Sequence, residues 1–212
     1  MRLFVGLLPP PPVRDELVLA LEAHRPRWPG LRWLDPENWH VTLSFLGEVP
    51  DPVLPELRAR LADAATRHAP LTLSLTGAGA FPSAGRARVF LAGLGGDLPG
   101  LARLADHVGN EALEAGAGQT DRRRFTPHLS LARCRADMDV SPLVEAFGTF
   151  SGAGWEAGTV HLIRSNFRGG TTGGTTGRTT GGTSDGTSGR AEPRYETVEE
   201  WHLTARAPRG QS

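Results

Sequence analysis

The chain has 212 residues, 39% of them hydrophobic and 22% charged, which is enough to bury a core without disulfide or metal staples and excludes fibrous and peptide-like classes. Basic and acidic residues balance at 23 each, so no broad electrostatic surface for duplex nucleic acid is expected and any anion site must be local. All 23 basic residues are arginine, which removes lysine Schiff bases, P-loop lysines and lysine general bases from consideration.

In chain order, the apolar residues 2–7 read as a first strand. Pro9 to Pro12 follow at once, without the pattern of a secretion signal. Helical periodicity covers 12–24, a strand 39–46, a second helix 53–68, and strands 71–76 and 88–92 follow. A third helix is predicted over 98–113, with Leu101, Leu104, Ala105, Val108 and Leu113 inward, then a strand at 128–133, a short helix at 142–147 and a strand at 150–155. Two last strands, 159–165 and 195–203, flank a tract over 169–190 in which Gly and Thr supply 17 of 22 residues. Such a composition buries nothing, so the tract reads as a flexible loop insertion in a hairpin of one domain spanning 1–212, and 207–212 as a frayed tail. Connections too short for parallel crossovers favour an α+β fold with antiparallel or mixed sheets. No apolar run approaches the roughly 20 residues of a membrane span, and the lone Cys134 fits a reducing compartment, so a cytoplasmic protein is expected. Cys134 itself reads as a small packing residue.

One pattern occurs twice, 88 residues apart: His40-Val41-Thr42-Leu43 and His128-Leu129-Ser130-Leu131. On a strand, alternate side chains share a face, so each copy sends an imidazole and a hydroxyl one way and anchors itself through aliphatic residues on the other. Two copies across a cleft would surround one small volume with two histidines and two hydroxyl donors. Hydroxyls can hold the non-bridging oxygens of a phosphate ester. Two imidazoles, one neutral and one protonated, can act as general base and general acid on opposite sides of phosphorus, with no metal or other cofactor. The remaining histidines lack this context: His24, His68 and His107 read as surface or capping groups, and none of the five has metal-ligand spacing.

With these motifs the chain resembles the two-histidine (2H) phosphoesterases, and among them the RNA 2′,3′-cyclic phosphodiesterases once called 2′-5′ RNA ligases. The resemblance extends to Arg2-Leu3-Phe4-Val5, Trp39 through Val49, Gly79 to Pro82, Phe125 through Arg133 and Arg194-Tyr195-Glu196. Ser130 stands where threonine is commoner, and the Gly/Thr tract lengthens a loop that is usually short. The resemblance implies a bilobal α+β fold, two pseudo-symmetric lobes around a central cleft with helices outside. It implies a monomer that needs no protein partner and acts on RNA ends bearing a 2′,3′-cyclic phosphate, or on small cyclic nucleotides, leaving a 2′-phosphate. On that basis His40 is the proton donor, His128 the proton acceptor, and Thr42, Ser130 and Arg133 bind the phosphate, without a metal. Strict alternation opposes Arg133, placing it on the face away from His128 unless a bulge intervenes. The same alternation sends Phe45 into the core, whereas the resemblance allows it to contact a base. Trp33 and Trp39 stand between the same two readings. Arg124, with Arg122 and Arg123, forms a local basic cluster that suits either an RNA end or a solvated loop. Reversible 2′-5′ ligation of RNA and a non-catalytic nucleotide-binding module of the same fold are the alternative functions.

Overall fold

Five consecutive buried residues, Leu3 to Leu7, mark the first strand as one covered on both faces, and it lies inside the sheet. The computed structural model describes residues 1–117, 125–166 and 194–205. These form, in order, β1 (Arg2–Leu7), α1 (Pro11–Glu22), β2 (Leu31–Trp33), β3 (Val41–Glu48), α2 (Leu54–Thr66), β4 (Leu71–Phe81), β5 (Ala87–Gly96) and α3 (Leu98–Glu114). After them come β6 (His128–Met138), α4 (Ser141–Phe147), β7 (Trp155–Ala157), β8 (Thr159–Asn166) and β9 (Arg194–His202). The Gly/Thr tract, Arg124 with its two arginine neighbours, and the tail 207–212 lie outside the described residues. The strands on either side of the tract pair antiparallel, from Thr159 opposite His202 to Asn166 opposite Arg194.

All strand pairings among the described residues are antiparallel, in one sheet of order β7-β4-β5-β6-β3-β1-β8-β9, with β2 also on β6. The order reads symmetrically outward from its centre. β6, β5 and β4 on one side answer β3, β1 and β8 on the other, so the two lobes are halves of a single sheet. They meet through one registered pair, Val41 opposite Leu129.

The helices follow their apolar spacing. On α2, Leu54, Leu57, Leu61, Ala64 and Ala65 are buried, and α2 packs on α3, which packs on β3. Asp97 caps α3 by accepting from the Gly100 amide at 2.8 Å, and Leu101, Leu104, Ala105 and Val108 face inward. The last inward position belongs to Ala112; Leu113, expected there, is 41% exposed. The strand expected over 150–155 is also corrected. Phe150 stacks on Phe147 at 4.8 Å, Ser151 makes only an isolated bridge to Thr76, and pairing with β4 begins at Trp155. Gly152 and Gly154 interrupt the segment, which removes the side chains a strand would pack.

His68 and His107, read from sequence as surface or capping groups, instead bond each other at 2.9 Å, and His107 reaches Glu111 at 3.5 Å. Glu111 also receives Arg60 at 3.0 Å. Burial, with the nearby His107 and Arg103, pushes the His68 pKa below its ordinary 6.5. The folded protein therefore binds fewer protons here than the unfolded chain, and this group's contribution is present above pH 6.5 and lost as the pH falls through the folded value. Urea unfolding should show stability declining from pH 7 to pH 5, with a shallower decline in His68→Gln. An unchanged slope in that variant would exclude His68 as a source.

Candidate active site

The centre of the sheet is also where the two motifs meet. Because Val41 and Leu129 are opposed in antiparallel strands, their neighbours on the other face are opposed too: His40 lies across from Ser130, and Thr42 across from His128. The two histidines are then diagonal neighbours across this pair, and each has the other motif's hydroxyl residue beside it. Val41 and Leu129 are fully buried beneath, and Trp39 before the first motif is 1% exposed, so the imidazoles stand on a rigid floor.

Both rings are held by the same device. His40 Nδ1 lies 2.7 Å from the Asn38 carbonyl, and His128 Nδ1 lies 2.8 Å from the Thr126 carbonyl. A carbonyl only accepts, so each Nδ1 donates, and Nε2 is the nitrogen left for chemistry. In the first motif the carbonyl comes from the 3₁₀ turn Pro36–Asn38, whose Asp35 side chain accepts from the Glu37 amide at 2.9 Å. In the second, Pro127 stands between acceptor and histidine. Aromatic rings then fix the imidazole planes. Phe4 (4.6 Å) and the edge of Tyr195 (4.9 Å) flank His40, and Phe81 meets His128 edge-on at 4.9 Å. The half-buried Thr42 and Ser130 make no hydrogen bond through their hydroxyls among the described residues, which leaves both available to a ligand.

Each motif strand bulges at the last residue of its motif. In β3 the register passes from Thr42 opposite Gly6 to Ser44 opposite Val5, so Leu43 is the extra residue. Ser44 thereby turns toward α3, where a Cβ on Gly109 would sit 3.7 Å from its hydroxyl, and Phe45 turns to the cleft. Phe45 is 67% exposed and 6.1 Å from Phe4, which corrects the core position that alternation gave it. In β6 the register passes from Ser130 opposite Leu91 to Ala132 opposite Phe90, so Leu131 is the extra residue. Arg133 thereby shares the face of His128 and Ser130, and alternation is overturned by the bulge it needed. The fifth residue after each motif histidine thus joins the cleft, an aromatic ring from one lobe and a guanidinium from the other.

Arg133 lies beside the Tyr195 hydroxyl. Burial raises the Tyr195 pKa, while the charges of Arg133, Arg32 and Arg2 and the Arg133 hydrogen bond act against that rise. Burial lowers the pKa of His40, the Asn38 carbonyl partly offsets this, and the charges of His128 and Arg133 lower it further. Opposite the motifs, the neighbouring strands carry Gly6 against Thr42 and Gly93 against His128. A Cβ there would come within 2.9 Å of the Val41 carbonyl and 2.7 Å of the Thr76 carbonyl, so close backbone approach excludes any side chain.

Sequence reasoning missed the roles of Phe4, Phe81 and Tyr195 around the imidazoles. For Tyr195 a signal existed, since it is the sole tyrosine of the chain. Trp33 and Trp39 resolve as packing residues: Trp39 is buried, and Trp33 meets buried Phe90 edge-on at 6.0 Å. Cys134 is buried, and burial pushes its thiol pKa up, as suits a packing residue.

Comparison with known proteins agrees with this geometry. Residues 7–91 match the family model for LigT-like phosphoesterases. An RNA 2′,3′-cyclic phosphodiesterase of Thermus thermophilus is 33% identical over 176 residues, covering 79% of this chain and 83% of the relative. One of Aeropyrum pernix is 36% identical over 115 residues, covering 54% of this chain and 64% of the relative, so that match spans less than two thirds of its length. The crystal structure of Escherichia coli LigT complexed with 3′-AMP superposes with a TM-score of 0.70 at 26% identity, covering 96% of this chain and 98% of that one. The paired motifs at the centre of a pseudo-symmetric antiparallel sheet and these matches lead to one conclusion: the chain belongs to the RNA 2′,3′-cyclic phosphodiesterase family of LigT-like phosphoesterases.

Proposed function

We propose that this protein hydrolyses terminal 2′,3′-cyclic phosphates of RNA, or cyclic nucleotides, to 2′-phosphomonoesters by metal-independent acid and base catalysis with His40 and His128. The observation that carries this reading is the Val41–Leu129 pair, which makes the two imidazoles diagonal neighbours with both Nε2 atoms left for chemistry. His128 Nε2 takes a proton from water as its oxygen bonds to phosphorus. The bond from phosphorus to O3′ breaks, and His40 Nε2–H delivers a proton to that oxygen, leaving a 2′-phosphate and a free 3′-hydroxyl. Thr42 and Ser130 donate to the non-bridging oxygens, Arg133 adds a charged donor, and Phe45 offers a face to the terminal base. The test is incubation of EDTA-treated protein with an oligonucleotide ending in a 2′,3′-cyclic phosphate, followed by identification of the product isomer. A 3′-phosphate product, or turnover only after metal is restored, overturns the scheme.

The hydroxyls supply a graded check. Thr42→Ala and Ser130→Ala should each reduce kcat/KM by the equivalent of about 1–3 kcal/mol, the worth of a desolvated hydrogen bond to a charged group. Ser130→Thr keeps the hydroxyl and should retain activity, so a rate as low as that of Ser130→Ala would show that the site is too tightly filled to take the added methyl.

The lowered pKa of His40 gives the pH profile a direction. As the acid, His40 must carry a proton, and in the free enzyme its burial and Arg133 work against that. The alkaline limb of kcat/KM should therefore fall below the ordinary imidazole pKa of 6.5. In the bound state the anionic phosphate favours imidazolium, so the alkaline limb of kcat should lie at higher pH. If the alkaline limb of kcat/KM lies at or above 6.5, His40 is not the group that must carry the proton.

A further inference from the structure

Beyond the cleft, β6 continues with Arg133 and Arg135 exposed and Cys134 buried between them, so both arginines stand on the face that the bulge at Leu131 turned toward the site. β2 runs beside this stretch and places Arg32 opposite Arg133. Arg32 and Arg135 together line a recess closed by Pro29, Gly30 and Leu31. The nearest acid on β6, Asp137, is already held by Arg86 and Arg88, and Arg135 makes no ion pair among the described residues. A protein with balanced total charge thus clusters three arginines at this end of the cleft, Arg32 beside Arg133 and Arg135 one step further along β6.

The spacing suits a polynucleotide. Two residues of a strand advance about 6.6–6.8 Å, comparable to the separation of successive phosphates in a stretched single strand. Arg133 belongs to the site that takes the terminal phosphate, and Arg135 is one such step further on. Resting on the function proposed above, we infer that the recess between β2 and β6 is a second phosphate site. In it, Arg32 and Arg135 bind a phosphodiester one or two nucleotides upstream of the cyclic end. A guanidinium pair at a concave backbone edge recognises a phosphodiester through charge and forked hydrogen bonds and reads no base, so the site selects for length and not for sequence. The enzyme is then built for the ends of RNA strands, with cyclic mononucleotides as poorer substrates that use only the first site.

The test compares a cyclic mononucleotide with a hexanucleotide ending in a 2′,3′-cyclic phosphate, using wild type, Arg135→Ala, Arg32→Ala and the exposed control Arg86→Ala. Wild type should favour the hexanucleotide in kcat/KM, and Arg135→Ala should lower that value by about 3- to 10-fold, chiefly through KM, while its mononucleotide kinetics stay at the wild-type level. Arg32→Ala should lower the hexanucleotide value as well, and Arg86→Ala should leave both substrates at the wild-type level. The fall of log kcat/KM with log salt on the hexanucleotide should be shallower by about 0.7 for each phosphate that the variant no longer neutralises. Equal wild-type preference for the two substrates, or equal loss on both in Arg135→Ala, overturns the second site while leaving the cyclic phosphodiesterase reading standing. Wild type that hydrolyses neither substrate overturns that reading, and this inference with it.

Discussion

Replacing either His40 or His128 by Ala should lower kcat/KM by about 10²- to 10⁴-fold, the usual contribution of a positioned acid or base. The two variants should remain folded. Neither ring anchors an element: each Nδ1 bonds a carbonyl only two residues away, and the strands are held by Val41, Leu43, Leu129 and Leu131 beneath. The double variant should lose far less than the product of the two single losses, because acid and base act in one step and removing either disables it. Circular dichroism and thermal unfolding alongside kinetics separate loss of chemistry from loss of structure. A folded single variant with near wild-type turnover would remove the two-histidine mechanism. His40→Gln adds a finer distinction, since it keeps polar bulk beside Phe4 and Tyr195 but cannot carry the proton. Its rate should match that of His40→Ala and not that of wild type.

Trp39→Ala should cost about 3–5 kcal/mol of stability, the range for emptying a buried aromatic site. Trp39 is among the largest fully buried side chains of the protein, and it sits between the Asn38 carbonyl that tethers His40 and His40 itself. Its own amide closes the 3₁₀ turn by donating to the Pro36 carbonyl at 3.2 Å. Loss of the indole therefore loosens the turn as well as the core, and kcat should fall in the fraction that remains folded. Trp39→Phe should be milder in both respects. The indole Nε1 has no acceptor among the described residues, so phenylalanine gives up volume but no hydrogen bond. Denaturant midpoints and activity at saturating substrate would check this, and a Trp39→Phe variant as unstable as Trp39→Ala would show that indole shape and not burial sustains the turn.

What could be read from the residues alone were those features that repeat or alternate. The strand of residues 2–7 appears where a short continuous apolar run places it, and the strand of 159–165 and the face of α2 lie close to where periodicity places them, because burial on one face imposes a period that survives in the sequence. The two His-aliphatic-hydroxyl-Leu segments were legible for the same reason: within three residues of each histidine, alternation holds. It fails at the fourth. One extra residue in each motif strand, Leu43 and Leu131, reverses the phase and brings Phe45 and Arg133 into the cleft. No propensity marks either leucine as a bulge, since both are buried aliphatic residues like their neighbours.

The tertiary structure also decided the partners. Nothing near His40 in the chain announces Tyr195, which arrives on β9 from more than 150 positions away, or Phe4, which β1 supplies from the adjoining strand. His68 and His107 looked like solitary surface groups for the same reason, until the packing of α2 against α3 joined them. The residue types able to perform acid and base chemistry on a phosphate were therefore evident from the chain itself. Their mutual distance, the tautomer each carries and the rings that hold them are properties of one antiparallel pair, Val41 with Leu129, and of the strands beside it. A sequence has no local term for such a pairing, because its energy is shared across the whole sheet.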